Sequence, residues 1–292
     1  MRDVARTLVR NNYEISFSRG CFDIAARREE IFLLKVLVNI DAFKEDQALS
    51  LKVISHFVSA FPLIISLKNN REKLKDETIY SRFGLFVLTP KTFEKIVKEE
   101  IKPFYSRKGR MVSKIDIEKM RRKREELNLS FSKLSKLTGI SKKALYEIEK
   151  GKVNPTVQSV IKLENVLKTN LRLPFQTQPI EKIVLKPKQK FQKFVSKEFS
   201  RIGIENSAVY SAPFDLIGKE RITIITKLSK NSKKLKKEAK IVKKVSSITS
   251  SKPIFVAKIC KEKCINGIPV LKEDELSKLN SSEELIRIIE GE

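Results

Sequence analysis

Two segments near opposite ends of the chain align with each other over sixteen residues without a gap. FDIAARREEIFLLKVL, at 22–37, matches FDLIGKERITIITKLS, at 214–229. In both, a Phe-Asp pair is followed by a charged turn, an apolar strand and a Lys twelve residues after the Asp. Self-similarity within a chain indicates repeated structural units. The chain must therefore accommodate the same local fold twice, and this limits its architecture more than any other feature.

The correspondence continues beyond these segments. FPLIIS at 61–66 matches KPIFVA at 252–257, and GLFVLTPKTF at 84–93 matches GIPVLKEDEL at 267–276. Apolar runs of this length predict strands, and the segments between them have a helical period. Each flank is thus predicted to be the same α/β unit: a helix, a strand hairpin, a helix, a strand and a final strand-helix pair.

The segment between the flanks predicts four or five short helices. Asp116, Ser130 and Ser141 are suitable N-caps, and Gly139 can adopt the left-handed conformation that ends a helix. A fourth helix is expected to start near Thr156. The apolar positions predicted to face inward are Ile117, Met120, Leu127, Phe131, Leu134, Leu137, Leu145 and Ile148.

The stretch LSKLTGISKKALYEIEKGKVNP resembles the lambda repressor and Cro family, and the resemblance covers roughly residues 113 to 172. It implies a helix-turn-helix whose second helix enters the major groove of DNA. The family often has Gln at the start of the first of these two helices, where it helps to clamp a phosphate and brace the recognition helix. This chain has Phe131 there. Phosphate anchoring is therefore expected from elsewhere, for example from Arg121, Arg122, Lys123 and Arg124.

The recognition helix is predicted at 141–149, with its N-terminal end toward the bases. Lys can donate to guanine, the methyl of Ala144 can contact thymine, and Tyr146 can contact base or phosphate. The alternative is that some of these side chains only solvate the surface. The predicted DNA-binding residues are Ser141, Lys142, Lys143, Ala144, Tyr146, Arg121, Arg122 and Arg124.

Each flank resembles the core of the PD-(D/E)xK nucleases and archaeal Holliday-junction resolvases. In those enzymes an Asp and a carboxylate two residues before a Lys bind Mg²⁺, which polarises the phosphate and activates water. The first and last positions of this motif are matched in both flanks, by Asp23 and Lys35 and by Asp215 and Lys227.

The middle acid of the motif is absent, because Leu33 and Ile225 occupy its two positions. A single carboxylate beside a cation is a poor Mg²⁺ site. We therefore expect no catalytic residue, no metal, no cofactor and no enzymatic activity. A migrated acid such as Asp41 is the alternative, and an Asp-Lys ion pair that joins the hairpin strands is the structural explanation of the retained residues.

Composition favours a polyanionic partner. The 292 residues include 61 Lys and Arg against 35 Asp and Glu, a formal net charge of +26, although thermophile proteins can also be rich in Lys. Eight of the lysines lie between Lys230 and Lys244, and the sequence leaves open whether they contact nucleic acid or only solvent. No apolar run approaches the ~20 residues of a membrane helix. We expect a cytoplasmic protein that binds double-stranded DNA and no membrane.

The remaining reactive side chains predict no site. Cys21, Cys260 and Cys264 cannot form a disulfide framework or complete a zinc site, so we interpret them as reduced thiols. His56, the only histidine, lies in an apolar helical context and is interpreted as a packing residue.

The whole chain resembles a family of archaeal HTH-type transcriptional regulators. The predicted fold is α/β plus all-α, a central Cro-type bundle flanked by two duplicated α/β nuclease-like domains. The expected domains are 1–108, 113–172 and 191–292, with a linker at 173–190. The resemblance implies a sequence-specific DNA-binding regulator. The alternatives are a structure-specific nuclease and an architectural nucleic-acid-binding protein. A homodimer is favoured over an intramolecular pairing of the flanks.

Overall fold

A computed structural model describes residues 1–107, 110–176 and 180–291. The chain divides into two compact units, one formed by Met1–Arg71 with Thr177–Glu292 and the other by Glu72–Gln176. The first unit is made from both ends of the chain. The boundary near residue 71 lies inside the first α/β flank defined above, and the domain boundaries drawn from the sequence stay a prediction.

The N-terminal part of the first unit is a four-stranded sheet with two helices. Its strands lie in the order β1-β2-β3-β4. The β3–β4 pair is parallel, with Lys35 opposite Ile64, and a parallel pair needs a crossover, which α2 provides. A short 3-10 helix at Ile40–Ala42 precedes α2. The elements are α1 (Arg2–Arg10), β1 (Glu14–Phe17), β2 (Ile24–Arg27), β3 (Ile31–Asn39), α2 (Glu45–Phe57) and β4 (Phe61–Lys68).

The second unit contains a smaller sheet and a helical bundle. The sheet order is β6-β5-β7-β8, with β5 and β7 parallel and the outer pairs antiparallel. The bundle packs around a core of buried aliphatic side chains. The elements are β5 (Thr78–Arg82), β6 (Leu85–Leu88), α3 (Pro90–Val97), β7 (Phe104–Arg107), β8 (Arg110–Val112), α4 (Ile117–Glu126), α5 (Phe131–Thr138), α6 (Lys142–Glu149) and α7 (Val157–Leu167).

An extended segment ties the bundle to the sheet of its own unit. Backbone N–H groups of Ser113 and Asp116 donate to the carbonyls of Pro155 and Leu171, at 3.0 and 2.8 Å, and Leu173 N–H donates back to Lys114 at 3.0 Å. These bonds satisfy backbone groups on both sides of the helices. The bundle is therefore held at its entrance and its exit by the same short stretch of chain.

The C-terminal part of the first unit repeats the element order of the N-terminal part. Its sheet order is β13-β14-β12-β11-β10-β9. The β11–β12 pair is parallel, with Lys227 opposite Phe255, and α9 is its crossover. The elements are α8 (Lys190–Arg201), β9 (Glu205–Ala208), β10 (Leu216–Lys219), β11 (Thr223–Ser229), α9 (Ser232–Ile248), β12 (Lys252–Ala257), β13 (Cys264–Ile265), β14 (Ile268–Lys272), α10 (Glu273–Lys278) and α11 (Ser282–Glu290).

Within the first unit, the two sheets share their crossover helices. Helix α2 contacts β10, and α9 contacts β1 and β2. The Tyr210 N–H donates to Ser50 Oγ of α2 at 3.1 Å, and Arg27 of β2 donates to Ser250, just after α9. Each crossover helix thus covers its own sheet and also contacts the hairpin of the other.

Gly20 lies where the two halves of this unit approach each other closely. Its φ is +118°, and a Cβ there would lie 2.3 Å from the carbonyl oxygen of Ser211. The neighbouring Cys21 N–H donates to that same carbonyl at 2.5 Å. Only glycine avoids both the backbone strain and the clash.

We predict that Gly20→Ala lowers the free energy of unfolding by about 2 to 5 kcal/mol, from the sum of backbone strain and overpacking. Gly203→Ala is the matched control, because Gly203 also has a positive φ, +88°, but open space around its Cβ position. Chemical denaturation should show a clearly larger loss for Gly20→Ala. Equal losses in the two variants would contradict the close contact.

Candidate nucleic-acid interface

Helices α5 and α6 form the helix-turn-helix that the sequence predicts. Ser130 and Ser141 cap them by accepting the backbone N–H of Lys133 and Ala144, each at 3.2 Å. Gly139 ends α5 in the left-handed conformation, with φ +68°. These caps satisfy N–H groups that have no partner inside the helix. The cap at Asp116 and the start of α7 at Thr156 are also as predicted.

The bundle core differs from the predicted one at two positions. Met120, Leu134, Leu145 and Ile148 are buried as expected, and Ile117 and Phe131 pack against the core. However, Leu137 is 61% exposed and Leu127 is 45% exposed, so their assignment to the inward face is wrong. Leu127 follows the last residue of α4 and Leu137 lies on the outer side of the short α5, where helical spacing no longer directs a side chain inward.

The outward face of α6 presents the predicted base-reading side chains. Lys142 and Lys143 are exposed at its N-terminal end, and Tyr146 is 47% exposed. Ala144 is only half-buried, and it packs against the bundle core. The methyl group of Ala144 is therefore partly used in packing, whereas the two ammonium groups and the phenol are accessible.

Tyr146 is held by aromatic and cationic neighbours. Its ring meets that of Phe131 edge to face, with 6.2 Å between centroids, and Lys150 Nζ lies 5.8 Å from its centroid. Edge-to-face pairs contribute about 0.5 to 1.5 kcal/mol beyond area burial. Phe131, where the lambda repressor and Cro family often has Gln, thus touches the recognition helix directly.

A buried ion pair joins α4 to α6. The Arg124 guanidinium donates from Nε and Nη2 to the two carboxylate oxygens of Glu149, each at 2.8 Å. The side chains are 13% and 6% exposed. The hydrogen bonds that Arg124 donates to Glu149 raise the pKa of Arg124. The guanidinium also donates to the Leu129 carbonyl and lies 4.7 Å above the Phe131 ring. Arg124 is thus fully engaged inside the bundle.

The other members of the basic run also have acidic neighbours. Arg121 lies 3.6 Å from Glu149, and Arg122 lies 3.7 Å from Glu126 while its side chain stays 68% exposed. Exposed pairs of this kind are weak and exchange readily with other anions. Arg122 is therefore the most accessible of the predicted phosphate-binding arginines.

Two further lysines were missed by the sequence analysis. Lys133 and Lys136 of α5 are exposed. Both follow the cap at Ser130 and lie beside the buried Leu134 in the sequence. Both occupy polar positions of α5, and the helix that precedes a recognition helix crosses the DNA backbone. These two facts could have pointed to them from the sequence.

In the first flank, the residues of the nuclease-like motif form a buried ion pair. Lys35 Nζ donates to Asp23 Oδ1 at 3.0 Å and to the Gly20 carbonyl at 2.7 Å. Asp23 Oδ2 accepts the N–H of Val36 at 2.8 Å. Both carboxylate oxygens are thus bonded within the protein, and Leu33 is fully buried nearby in β3.

The second flank has the same pair with an added acid. Lys227 Nζ lies 3.2 Å from Asp215 Oδ2, and that oxygen accepts the N–H of Leu228 at 2.8 Å. Glu238 of α9 also reaches Lys227 Nζ, at 2.9 Å. The sequence analysis did not find Glu238, because it is separated from the motif by a turn and two helical turns.

No group of three or more His, Cys, Asp or Glu side chains within residues 1–107, 110–176 and 180–291 is arranged to hold a metal ion. Asp41, the candidate migrated acid, accepts the N–H of Asn70 at 2.8 Å. The motif residues present do not fit Mg²⁺, because each motif offers a single carboxylate and an apolar side chain, Leu33 or Ile225, replaces the second ligand.

The three cysteines are free thiols. Burial raises the pKa of the Cys21 thiol to about 12, so this thiol stays protonated and unreactive. His56 packs edge to face against Phe57, with 5.8 Å between ring centroids. Across the residues that the structure describes, no helix is long and apolar enough to span a bilayer.

Two family models match the chain. Residues 1–103 match a PD-(D/E)XK superfamily domain, and residues 120–173 match a helix-turn-helix domain. No solved structure matches the chain. The first flank is therefore nuclease-like in its family, and the bundle belongs to a DNA-binding family.

The chain is also similar to archaeal regulators along nearly its whole length. It is 31% identical to an HTH-type transcriptional regulatory protein of Methanothermobacter thermautotrophicus, over 99% of this chain and 94% of the relative. It is 29% identical to one of Pyrococcus furiosus, over 94% and 90%, and 28% identical to one of Methanocaldococcus jannaschii, over 94% and 89%. The chain belongs to this family of archaeal HTH-type transcriptional regulatory proteins, and it is a DNA-binding regulator of transcription.

Proposed function

We propose that the protein reads its operator through the exposed N-terminal part of α6. The observation that carries this proposal is the accessibility of Lys142, Lys143 and Tyr146. They lie on a helix that Ser141 caps and that the Arg124–Glu149 ion pair holds against α4. Lys143 donates to guanine edges, and Tyr146 contacts base or phosphate. Ala144 makes at most a methyl contact, since part of its surface packs on the core.

Phosphate anchoring falls to the accessible cations around this helix. Arg122 and Arg121 supply part of it, with Lys133 and Lys136 on α5. Arg124 has a structural role instead. Its guanidinium donates to both carboxylate oxygens of Glu149, so it holds α6 against α4 and makes no phosphate contact. Breaking such a buried pair costs about 3 to 5 kcal/mol, which makes it a structural brace.

Lys143→Ala and Tyr146→Ala should each weaken binding to a cognate site by about 1 to 3 kcal/mol and relax preference at particular base pairs. Selection of bound sequences from a random DNA pool, followed by titration, measures both effects. Lys162→Ala, an exposed lysine on α7, is the control. Unchanged base preference in both α6 variants would refute the assignment, and a pool that yields no motif would favour an architectural protein.

We infer further that the two α/β flanks arose by duplication of one nuclease-like unit that lost its metal chemistry. The equal order of elements, the equal register of the β3–β4 and β11–β12 pairs and the Asp-Lys pair in each flank support the duplication. Two observations support the loss of metal chemistry: the Asp of each flank is paired with a Lys, and Leu33 and Ile225 replace the second acid.

The protein should therefore leave plasmid, linear and branched DNA uncut in the presence of Mg²⁺ or Mn²⁺. Gel analysis of end-labelled substrates tests this. Cleavage that disappears in Asp23→Asn or Asp215→Asn would contradict the loss of activity and favour a structure-specific nuclease. Loss of cleavage in Asp215→Asn would in addition assign Glu238 as the second carboxylate ligand of the metal ion in the second flank.

We also propose that the flanks pair with each other inside one chain. Their reciprocal contacts through α2 and α9 support this arrangement over the homodimer favoured by the sequence, because each crossover helix already packs against the hairpin of the other flank. One chain then carries one helix-turn-helix and reads one half-site.

Light scattering at micromolar concentration should give the mass of one 33.6 kDa chain, and the selected DNA site should lack two-fold symmetry. A mass twice as large, with a palindromic site whose halves lie about 34 Å apart, would establish the homodimer instead.

A further inference from the structure

Helix α9 carries a row of lysines on its outer face. Lys233, Lys237, Lys240 and Lys244 are all exposed. At about 100° per residue they point within roughly 60° of one another. The buried residues of the helix, among them Leu235, Ala239 and Val242, lie on the opposite side. The row is thus the part of α9 that points directly away from the protein.

These four ammonium groups have no ion-pair partner within the described ranges of the chain. Two neighbouring lysines are engaged within the protein: Lys236 lies 2.6 Å from Glu262, and Lys243 donates to the Asn266 carbonyl at 3.1 Å. Glu238 is the only acidic residue of α9, and it faces inward to Lys227. The outer face is therefore a row of uncompensated positive charges, which repel each other unless a polyanion binds.

The corresponding helix in the first flank has no such face. Seven of the thirteen residues of α2 are buried, against six of seventeen in α9. The N-terminal turn of α2 is acidic, with Glu45 and Asp46. Because the two helices occupy the same place in the element order, the lysine row is a property of one flank, and the fold does not require it.

We propose that this row of lysines is a second DNA-binding surface, which contacts the phosphates of duplex DNA without reading its sequence. From its first to its last lysine the row extends about 16 Å along the helix, at 1.5 Å per residue. Measured along the axis of the duplex, this length corresponds to about five phosphates of one strand. The lysines are regularly spaced, and α9 has no carboxylate on this face. Both features suit an evenly charged polyanion.

Duplex DNA is favoured over other polyanions because the same chain carries a helix-turn-helix. Once that domain holds a duplex, the second contact forms at a high effective concentration of DNA. The phosphate contacts add affinity for any sequence and steepen the dependence of affinity on salt. The second flank would thus bind DNA although it does not cleave it.

The test compares two triple variants with the same spacing and the same change in charge. One is Lys237→Gln, Lys240→Gln and Lys244→Gln on α9. The other is Lys190→Gln, Lys193→Gln and Lys197→Gln on α8, where all three lysines are also exposed. Circular dichroism and thermal melting of the full-length protein verify that both variants are folded. Affinity for a duplex is then measured from 50 to 300 mM salt.

The α9 variant should bind both the selected site and unrelated duplexes roughly ten- to a hundredfold more weakly at about 0.1 M salt. Its slope of log affinity against log salt should be shallower by about 2 to 3, because each phosphate that the protein no longer neutralises removes about 0.9 from the slope. Its base preference should be unchanged, which separates this result from a failure of α6. Replacing the same lysines by Arg should restore affinity and slope.

Two results would overturn the proposal. If the α8 variant loses as much affinity and slope as the α9 variant, the effect is one of net charge and no surface on α9 is involved. If duplex binding is unchanged while binding of an RNA of equal length weakens, the partner of this face is RNA.

Discussion

The sharing of crossover helices between the two sheets is the constraint on which the rest of the first unit depends. A parallel strand pair requires a crossover, and each crossover helix must cover apolar sheet surface. Here α2 also contacts β10, while α9 contacts β1 and β2. Each half therefore packs against the other, and residues 1–71 and 180–291 belong to one compact unit although more than a hundred residues separate them in the chain.

The retained Asp-Lys pairs follow from the same need for a complete core. Lys35 and Lys227 are each less than a tenth exposed, and an unpaired buried ammonium would cost several kcal/mol. The paired Asp also accepts a backbone N–H from the strand that carries the Lys. The Asp of each pair thus joins the two strands of its hairpin, and its presence alone gives no evidence of cleavage.

Much of the fold was predictable because local chemistry determines it. The caps at Asp116, Ser130 and Ser141 and the left-handed Gly139 are short-range features, and the strands of both flanks are visible as apolar runs in the sequence. The β7–β8 hairpin was missed, because its sequence looks like a basic connector and its pairing depends on β5. The ion pair between Arg124 and Glu149 was also missed, since it joins residues twenty-five positions apart and no sequence period links them.

This last pair changes how the basic charge of the bundle should be understood. A run of four cations at 121–124 suggests a strong phosphate anchor, yet each of them has a carboxylate within 4 Å. Two of them, Arg121 and Arg124, pair with Glu149 and join α4 to α6. The other two, Arg122 and Lys123, pair with Glu126 inside α4. In the proposed complex, phosphate anchoring then falls to the cations that stay exposed, among them Arg122 of this run and Lys133 and Lys136 of α5. Under the proposed function the chain separates two tasks: the buried pair of Arg124 with Glu149 orients the recognition helix, and exposed cations provide attraction to DNA.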